Sequence, residues 1–287
     1  MRRGWFVSAA LGLTLAGAAS HATLAQPQQD SGEAERAVPH ARGQNVAPVY
    51  EGWYRDENDL LNLSFGYLNR NFEEELSIPI GPDNRVDPGP PDQGQPTFFV
   101  RRRQWGIFSV VVPKDLEARL RAEKKSVTWT LKAYGRVEAV SANLGSAYAI
   151  DALKEPTVEN TPPAVRFDPS AAPGAGPHGA RTSVKTTVAT PTTVNIWVAD
   201  DRRTLPQRRY NGVALSWIKY RGAGAVQIVS SAKSIDGTGT ASVTATFSQP
   251  GEYALRLEAS DTSVHDFHCC WTNAYAFVTV EPSSKVR

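Results

Sequence analysis

The sequence predicts an all-β protein of two β-sandwich domains, with one short helix in the N-terminal domain. Three observations predict this fold class. Most apolar stretches after residue 60 alternate apolar and polar residues with period two, and Asn-Gly, Asp-Gly and Pro-Gly turn signals separate several of them. The 7 Trp, 9 Tyr and 10 Phe suit a core built on pleated surfaces.

The first 25 residues have the layout of a secretory signal peptide. Two arginines precede an apolar run over residues 5–19, and small residues follow up to Ala22 and Ala25. This run is shorter than the roughly 20 residues needed to span a bilayer as a helix. We therefore expect cleavage after Ala25, or alternatively after Ala22, and a periplasmic or secreted protein without an integral membrane anchor.

Charge and cysteine content narrow the classes of partner. The chain has 31 Lys and Arg against 29 Asp and Glu, and the two arginines of the leader account for the whole excess. A balanced mature chain has no global attraction to nucleic acid, so no nucleic-acid partner is expected. The two cysteines are adjacent, which excludes the disulfide framework of small secreted domains.

Composition divides the rest of the chain into segments. Residues 26–45 are polar and poor in large apolar groups, which predicts disorder. Residues 158–181 are rich in Pro and Gly, which predicts a linker or a long surface crossing. The two folded domains are therefore expected at 46–157 and 182–283.

The C-terminal domain shows the clearest strand patterns. We expect one buried face on each of four strands, and further short strands at 184–188, 226–229 and 274–280. The residues predicted to face the core are Val194, Ile196 and Val198; Val213, Leu215 and Trp217; Val243, Ala245 and Phe247; and Tyr253, Leu255, Leu257 and Ala259. Six or seven short strands over about 100 residues favour a two-sheet sandwich.

Residues 247–261 (FSQPGEYALRLEASD) resemble the late strands of immunoglobulin-like domains of the polycystic-kidney-disease and cadherin-like type. The resemblance implies that the hydroxyl of Tyr253 pins a corner to nearby backbone, and that Trp217 is the core Trp of a middle strand. It implies a fold and no particular activity. The adjacent cysteines depart from the antibody pattern, because sequence neighbours cannot bridge two sheets.

The N-terminal domain is also predicted to be mostly β. Alternation indicates strands at 61–67, 76–80 and 127–131, and a continuous apolar run indicates a central strand at 108–112. Residues 115–125 form the one credible helix, with Leu116 and Leu120 four residues apart. The stretches FGYLNRN (65–71), IPIG (78–81) and GQPT (94–97) resemble uncharacterised exported bacterial proteins that pair a β domain with an Ig-like domain.

The densest cluster of reactive side chains is His265-Asp-Phe-His-Cys-Cys-Trp271, on a predicted loop between the last two strands. His265, His268, Cys269 and Cys270 are ligand types for Zn or Cu. In an oxidising compartment Cys269 and Cys270 can instead form a vicinal disulfide. The third possibility is a pair of reduced, partly buried or intermolecular thiols, and the sequence leaves the three open.

Other polar clusters have ordinary structural interpretations beside the functional ones. A Ca²⁺ site in the Pro- and Gly-rich loop 81–96 would use oxygen ligands, but its spacing does not match an EF-hand and the same residues are turn formers. The oxygen-bearing side chains of that loop are Asp83, Asn84, Asp87 and Asp92.

The acidic stretch 56–59 is interpreted as a turn, and the charge runs at 73–75, 101–103, 202–203 and 208–209 as solvated surface. Trp197, Trp53 and Tyr54 are the aromatic residues considered for stacking on a sugar.

These patterns predict an exported, non-catalytic binding or scaffolding protein whose ligand is an unknown protein or glycan at the cell envelope. Sequence motifs for a serine-hydrolase elbow, a His-Glu-x-x-His zinc site, a phosphate loop and a dinucleotide site are missing, so no enzymatic activity and no cofactor are expected. Two alternatives remain. One is a metal-binding or redox-active module at 265–270, and the other is a carbohydrate-binding accessory protein.

Overall fold

The computed structural model describes residues 40–204, 206–261 and 269–283. Within them the chain is mostly β with one α-helix, α1 (Lys114–Glu123), so the predicted fold class is confirmed. The signal peptide expected at 1–25, and both His265 and His268, lie outside the described residues. In the described part of the chain, no helix combines the length and the apolar character needed to cross a membrane.

The N-terminal half contains three sheets, with strand orders β1-β2-β6, β4-β7-β8 and β3-β5. Its strands are β1 (Val46–Arg55), β2 (Leu61–Asn69), β3 (Leu76–Ser77), β4 (Asn84–Asp87), β5 (Phe98–Phe99), β6 (Arg102–Val112), β7 (Thr128–Ala133) and β8 (Arg136–Ser141). An aromatic core joins the two larger sheets, because Trp129 on β7 packs edge-on against Phe108 on β6, with ring centroids 4.9 Å apart.

Helix α1 confirms the prediction of a helix in this half but ends two residues earlier. Lys124 adopts a left-handed conformation (φ 53°) and terminates it. Leu120 is buried in the core as the spacing predicts. Glu117 is also buried, and its carboxylate pairs at 2.8 Å with both Arg55 of β1 and Arg121 of the helix.

The strand predicted at 76–80 is wrong beyond Ser77, where β3 ends. The backbone of Ile78 is used in other ways, since its N–H donates to Thr97 O and its carbonyl accepts from the Asn84 side chain. Pro79 has no N–H to continue a ladder. Period-two alternation therefore continues here for three residues past the true strand.

The C-terminal half is a sandwich of two sheets. The outer sheet has the order β13-β15-β11-β9, and the inner sheet has the order β10-β17-β16-β12-β14. Their strands are β9 (Ala164–Arg166), β10 (Arg181–Thr187), β11 (Thr192–Ala199), β12 (Val213–Arg221), β13 (Val226–Ser230), β14 (Ser234–Ile235), β15 (Gly239–Phe247), β16 (Gly251–Asp261) and β17 (Trp271–Glu281). All pairings are antiparallel except that of β10 with β17.

The core between these two sheets contains the residues that alternation assigns to it. Thirteen residues were predicted to face this core, and twelve of them are buried; Trp217 is half-buried and packs against both of its clusters. The Tyr253 hydroxyl donates to Gln249 O (2.9 Å) and accepts from Gly224 N–H (3.1 Å), so it connects the β15–β16 turn to the loop between β12 and β13. This is the corner that the immunoglobulin-like resemblance implies.

The segments predicted to be disordered or linking are tied to the fold where the structure describes them. His40 and Ala41 accept backbone hydrogen bonds from residues 72–74, and Asn45 is fully buried. Within 158–181, β9 pairs with β11 of the outer sheet, and Asn160 donates to Asp261 (2.6 Å). The described residues all belong to one compact unit. The proposed domain boundaries stay predictions.

Candidate functional site

A cleft of about 580 Å³ lies where the N-terminal half meets the inner sheet. One wall comes from the loop 89–94, strand β6 and the start of α1, and the other comes from 177–181, β12 and β17. Its volume is in the range of small-molecule sites. Its aromatic and charged lining residues are Phe108, Tyr220, Tyr275, Phe277, Asp92, His178, Arg181 and Arg221.

Three aromatic rings form a continuous wall on the inner-sheet side of this inter-half cleft. Tyr220 and Tyr275 meet edge to face at 5.3 Å between ring centroids, and Tyr275 stacks on Phe277 at 6.3 Å. The two hydroxyls bond across the junction, from Tyr220 to Gly94 O and from Tyr275 to Ile107 O (3.2 Å). The tyrosine rings are therefore held in place, while Phe277 is 38% exposed and presents its ring to solvent.

Arg221 and Asp92 contribute charges that cancel. The guanidinium binds the carboxylate with two parallel hydrogen bonds of 2.7 and 2.8 Å, and it also donates to Gln95 O. The hydrogen bonds from Arg221 lower the pKa of Asp92, so the pair is ionised at neutral pH. This pair closes one side of the cleft and adds no net charge to it.

Arg181 contributes a positive charge that no carboxylate of the described residues compensates. It begins β10 at the cleft, is exposed, and lies with its guanidinium 5.9 Å from the ring centroid of Tyr275. Its side chain makes no hydrogen bond or ion pair with any residue in the described part of the chain. Since a guanidinium presents five N–H donors in a planar fork, this position can accept an anion such as a carboxylate.

His178 is neutral in the folded protein at neutral pH. Burial lowers its pKa most, the charge of Arg181 lowers it further, and Asp56 opposes both effects. Its Nε2 lies 2.7 Å from the side-chain oxygen of Asn62, whose amide nitrogen donates to Asp56 and Leu60. A neutral imidazole must therefore donate from Nε2, which leaves Nδ1 as an acceptor.

The cleft walls are held together by a buried polar junction at Gly106, on β6. Its carbonyl accepts from the side chains of Asn273 (2.8 Å), Trp271 (3.3 Å) and Arg256 (3.4 Å) of the inner sheet. Gly106 has φ +47°, and a Cβ there would lie 2.6 Å from the Trp271 ring. Only glycine fits both the conformation and the approach of the indole.

Cys269 and Cys270 are joined as a vicinal disulfide, and both are buried. Their sulfurs lie 3.9 and 3.6 Å from the carbonyl oxygen of Asn160. A disulfide sulfur is no thiolate, so a metal site that uses these cysteines requires their reduced form. His265 and His268, the other two proposed ligands, lie outside the described residues.

The oxygen-bearing side chains of loop 81–96 do not converge. Asp83 pairs with Lys132, Asp87 with Arg85, and Asp92 with Arg221, whereas the Asn84 side chain bonds Ile78 O, Pro96 O and Trp129. Across residues 40–204, 206–261 and 269–283, no three His, Cys, Asp or Glu side chains are placed to hold a metal. Asp56 caps its turn by accepting from two backbone N–H groups.

The aromatic residues considered for sugar stacking are buried or half-buried. Trp197 is half-buried on the outer sheet, Trp53 donates to Gly145 O (3.0 Å), and Tyr54 is buried. The charge runs form ion pairs such as Arg101 with Glu75 and Arg203 with Glu159.

The cleft residues were not among the sequence-predicted sites, except for Asp92. One signal for them was present in β17. Its outward positions carry Trp271, Asn273, Tyr275 and Phe277, whereas the outward positions of β15 carry only Thr and Ser. A row of large aromatic residues on the face turned away from the sandwich core indicates that something covers that face.

Comparison with protein-family models finds none that matches this chain, and no curated protein sequence matches it either. Three similar solved structures are domains 4 and 5 of the S-layer protein SbsC, the longer fragment rSbsC(31-844), and a family 123 glycoside hydrolase from Clostridium perfringens. Their TM-scores are 0.25, 0.24 and 0.24, with 12, 12 and 11% identity. The matches cover 54, 83 and 36% of this chain and 66, 28 and 23% of those chains. Similarity this low carries no argument about function.

Proposed function

We propose that this is an exported binding protein without catalytic activity, and that the inter-half cleft holds its ligand. The observation that carries the proposal is the uncompensated charge of Arg181 beside the aromatic wall of Tyr220, Tyr275 and Phe277. A ligand that satisfies both features is a small organic anion with a flat, apolar body. The proposal of export is supported by the basic, apolar and small-residue layout of residues 1–25.

The rigidity of the cleft supports binding by a preformed site. Arg256 is 1% exposed and connects β16 to β6 through Asn273 and the Gly106 carbonyl, so the two walls share one hydrogen-bonded network. A preformed site loses little conformational entropy when a ligand binds. Asp92 and His178, the other titratable candidates of the cleft for proton transfer, are used in holding this structure, since Asp92 pairs with Arg221 and His178 bonds Asn62.

The proposal is tested with 8-anilinonaphthalene-1-sulfonate, a flat aromatic anion, by calorimetric titration. We expect one binding site per chain, and a dissociation constant at least about 10-fold larger for Arg181→Gln, because a hydrogen bond to a charged group contributes about 1.5–3 kcal/mol. Phe277→Ala should weaken binding as well. Lys185→Gln on the same strand and Val229→Ala, an exposed apolar residue outside the cleft, are the matched controls. Binding that is unchanged in Arg181→Gln would refute the cleft as the site.

A separate measurement tests export. Amino-terminal sequencing of protein recovered outside the cytoplasm should begin at Gln26, or at Thr23 for the alternative site. An intact leader on all of the protein would contradict this part of the proposal without affecting the binding result.

A further inference from the structure

A second cavity, of about 460 Å³, lies on the N-terminal half and shares no residue with the inter-half cleft. Three aromatic side chains line it from three different elements: Tyr50 on β1, Trp105 on β6, and Tyr148 in the short turn of 3-10 helix at 146–148. Trp105 is 46% exposed and Tyr148 is 43% exposed. Exposed aromatic rings gathered around a concave surface are typical of recognition sites.

The rings of this Trp105–Tyr148 cleft are held in place from below. The guanidinium of Arg103 stacks 3.7 Å from the centroid of a Trp105 ring and donates to the buried carboxylate of Glu51 at 2.6 Å. Tyr50 donates its hydroxyl to Asn143 O (3.0 Å), and its ring lies 5.9 Å from that of Tyr148. Both sides of the cavity are therefore ordered before any ligand binds.

The turn that carries Tyr148 is fixed to β1 by backbone contacts. Ile150 N–H donates to Trp53 O (2.9 Å), and the indole of Trp53 donates to Gly145 O (3.0 Å). A Cβ at Gly52 (φ +145°) would lie 2.5 Å from the Tyr148 carbonyl oxygen. The glycine permits the turn to lie directly on the strand, which places Tyr148 beside the cavity.

The charges of this cavity cancel, because Glu51 and Arg103 are the only charged residues that line it in the described part of the chain, and they form an ion pair. We infer that the Trp105–Tyr148 cleft binds the ring of a neutral sugar. The apolar C–H face of such a ring stacks on an aromatic side chain, and its hydroxyls can exchange hydrogen bonds with the ion pair at the base. An anionic ligand has no free charge to meet here, unlike at Arg181. This inference goes beyond the proposed function and does not depend on it.

The test is affinity electrophoresis of the purified protein in native gels that contain xylan, galactomannan, mixed-linkage β-glucan or dextran. We expect at least one of these neutral polysaccharides to retard migration, and the apparent dissociation constant to rise at least ten-fold for both Trp105→Ala and Tyr148→Ala. Phe72→Ala is the matched control, because Phe72 is 45% exposed and stacks under Arg102 at 3.9 Å in the same manner, but outside the cavity. Melting temperatures of the variants show whether each is folded.

The failure of this inference is distinguishable from failure of the proposed function. No retardation in any of the four gels, or retardation that survives both substitutions, overturns the sugar site. A fifth gel contains polygalacturonate, an anionic polysaccharide. Retardation in this gel alone, lost in Arg181→Gln and kept in Trp105→Ala, also overturns the neutral-sugar site and assigns the glycan to the inter-half cleft. Binding of the naphthalene sulfonate should be the same in Trp105→Ala as in the wild type.

Discussion

The two sheets of the C-terminal sandwich have the same kind of alternating sequence but meet different surroundings. On β15 of the outer sheet, Thr240, Ser242 and Thr244 point away from the core and are exposed or half-buried. On β16 and β17 of the inner sheet, the corresponding outward residues Arg256 and Tyr275 are buried, because the N-terminal half covers that face. Alternation thus identifies the face that forms the sandwich core, and it leaves open what the other face contacts.

The largest effect should come from removing Arg256. We expect Arg256→Ala to lower the free energy of unfolding by about 3 kcal/mol, because Asn273, Glu258 and the Gly106 carbonyl lose a buried charged partner. Thr240→Ala, at an outward position of the outer sheet, should change it by less than about 0.5 kcal/mol. Urea unfolding measures both, and equal effects would mean that the two outward faces are alike.

Gly106→Ala tests the contact between the inner sheet and the N-terminal half directly. The new methyl would lie 2.6 Å from Trp271 in a left-handed backbone, and we expect a loss of about 2–3 kcal/mol of stability. Gly135→Ala has a similar positive φ (+74°) with nothing within 4 Å, so it should cost only about 1 kcal/mol. The difference between the two variants, measured by urea unfolding, isolates the contact between the halves. If the two variants lose equal stability, the result contradicts a packed junction at Trp271.

The cysteine pair lies where the inner sheet ends, before Trp271. Intact mass after alkylation of denatured, unreduced protein should show no added label, and reduction should add two. The double variant Cys269→Ser, Cys270→Ser should lose about 1–2 kcal/mol of stability, because it places two hydroxyls in a buried site. Loss of the disulfide itself should add little, because a ring between neighbouring residues hardly restricts the unfolded chain. Two labels without reduction would instead support free thiols, and bound Zn or Cu in that sample would support the metal alternative.

The smallest effect is expected at Asp200, at the end of the sandwich where β11 of the outer sheet and β16 of the inner sheet both end. Asp200 follows β11, and burial together with the negative charge of Asp261 at the end of β16 raises its pKa to about 6. The unfolded value is about 3.9, so the folded state holds more protons between these pH values, and Asp200 costs stability increasingly from pH 4 to pH 6. Asp200→Asn should therefore stabilise the protein by about 1 kcal/mol at pH 8, after allowance for solvent screening, and by almost nothing at pH 4.

Asp168→Asn is the control for this pH test, because it should change stability in the opposite direction. The hydrogen bonds from Ser170 lower the pKa of the exposed Asp168, so Asp168→Asn should lose stability at pH 8 instead of gaining it. Thermal melts at pH 4, 6 and 8 distinguish the two cases. A gain at Asp200→Asn that is equal at pH 4 and pH 8 would contradict the assigned titration.

Local patterns predicted much of the scaffold. Leu255 and Leu257 face the sandwich core because the side-chain period of a strand is two, and the helix at 114–123 appears where Leu116 and Leu120 are one turn apart. The strand at 76–80 was overextended because alternation does not register that Pro79 lacks an N–H. The role of Tyr253 is implied by the resemblance of residues 247–261 to immunoglobulin-like domains, in which a Pro-Gly turn precedes such a tyrosine.

These local patterns do not predict the inter-half cleft. The sequence places Arg181 at the end of a predicted linker, and Phe277 on a predicted strand without an assigned partner. The pair that closes the cleft, Asp92 and Arg221, is 129 residues apart, and the Tyr275 hydroxyl reaches Ile107 across 168 residues. No spacing rule connects such positions, because their proximity results from how two sheets dock.

The sequence by itself determined which residues of each strand face the core, where turns occur and where the single α-helix of the described residues lies. These properties depend on the backbone conformation of a few neighbouring residues. Only the tertiary structure decided that the second face of the inner sheet is buried and that the charge of Arg181 is left uncompensated beside aromatic rings. Whether a side chain is covered depends on long-range packing, and a polar residue such as Arg256 can be buried once its hydrogen-bond partners come from distant strands.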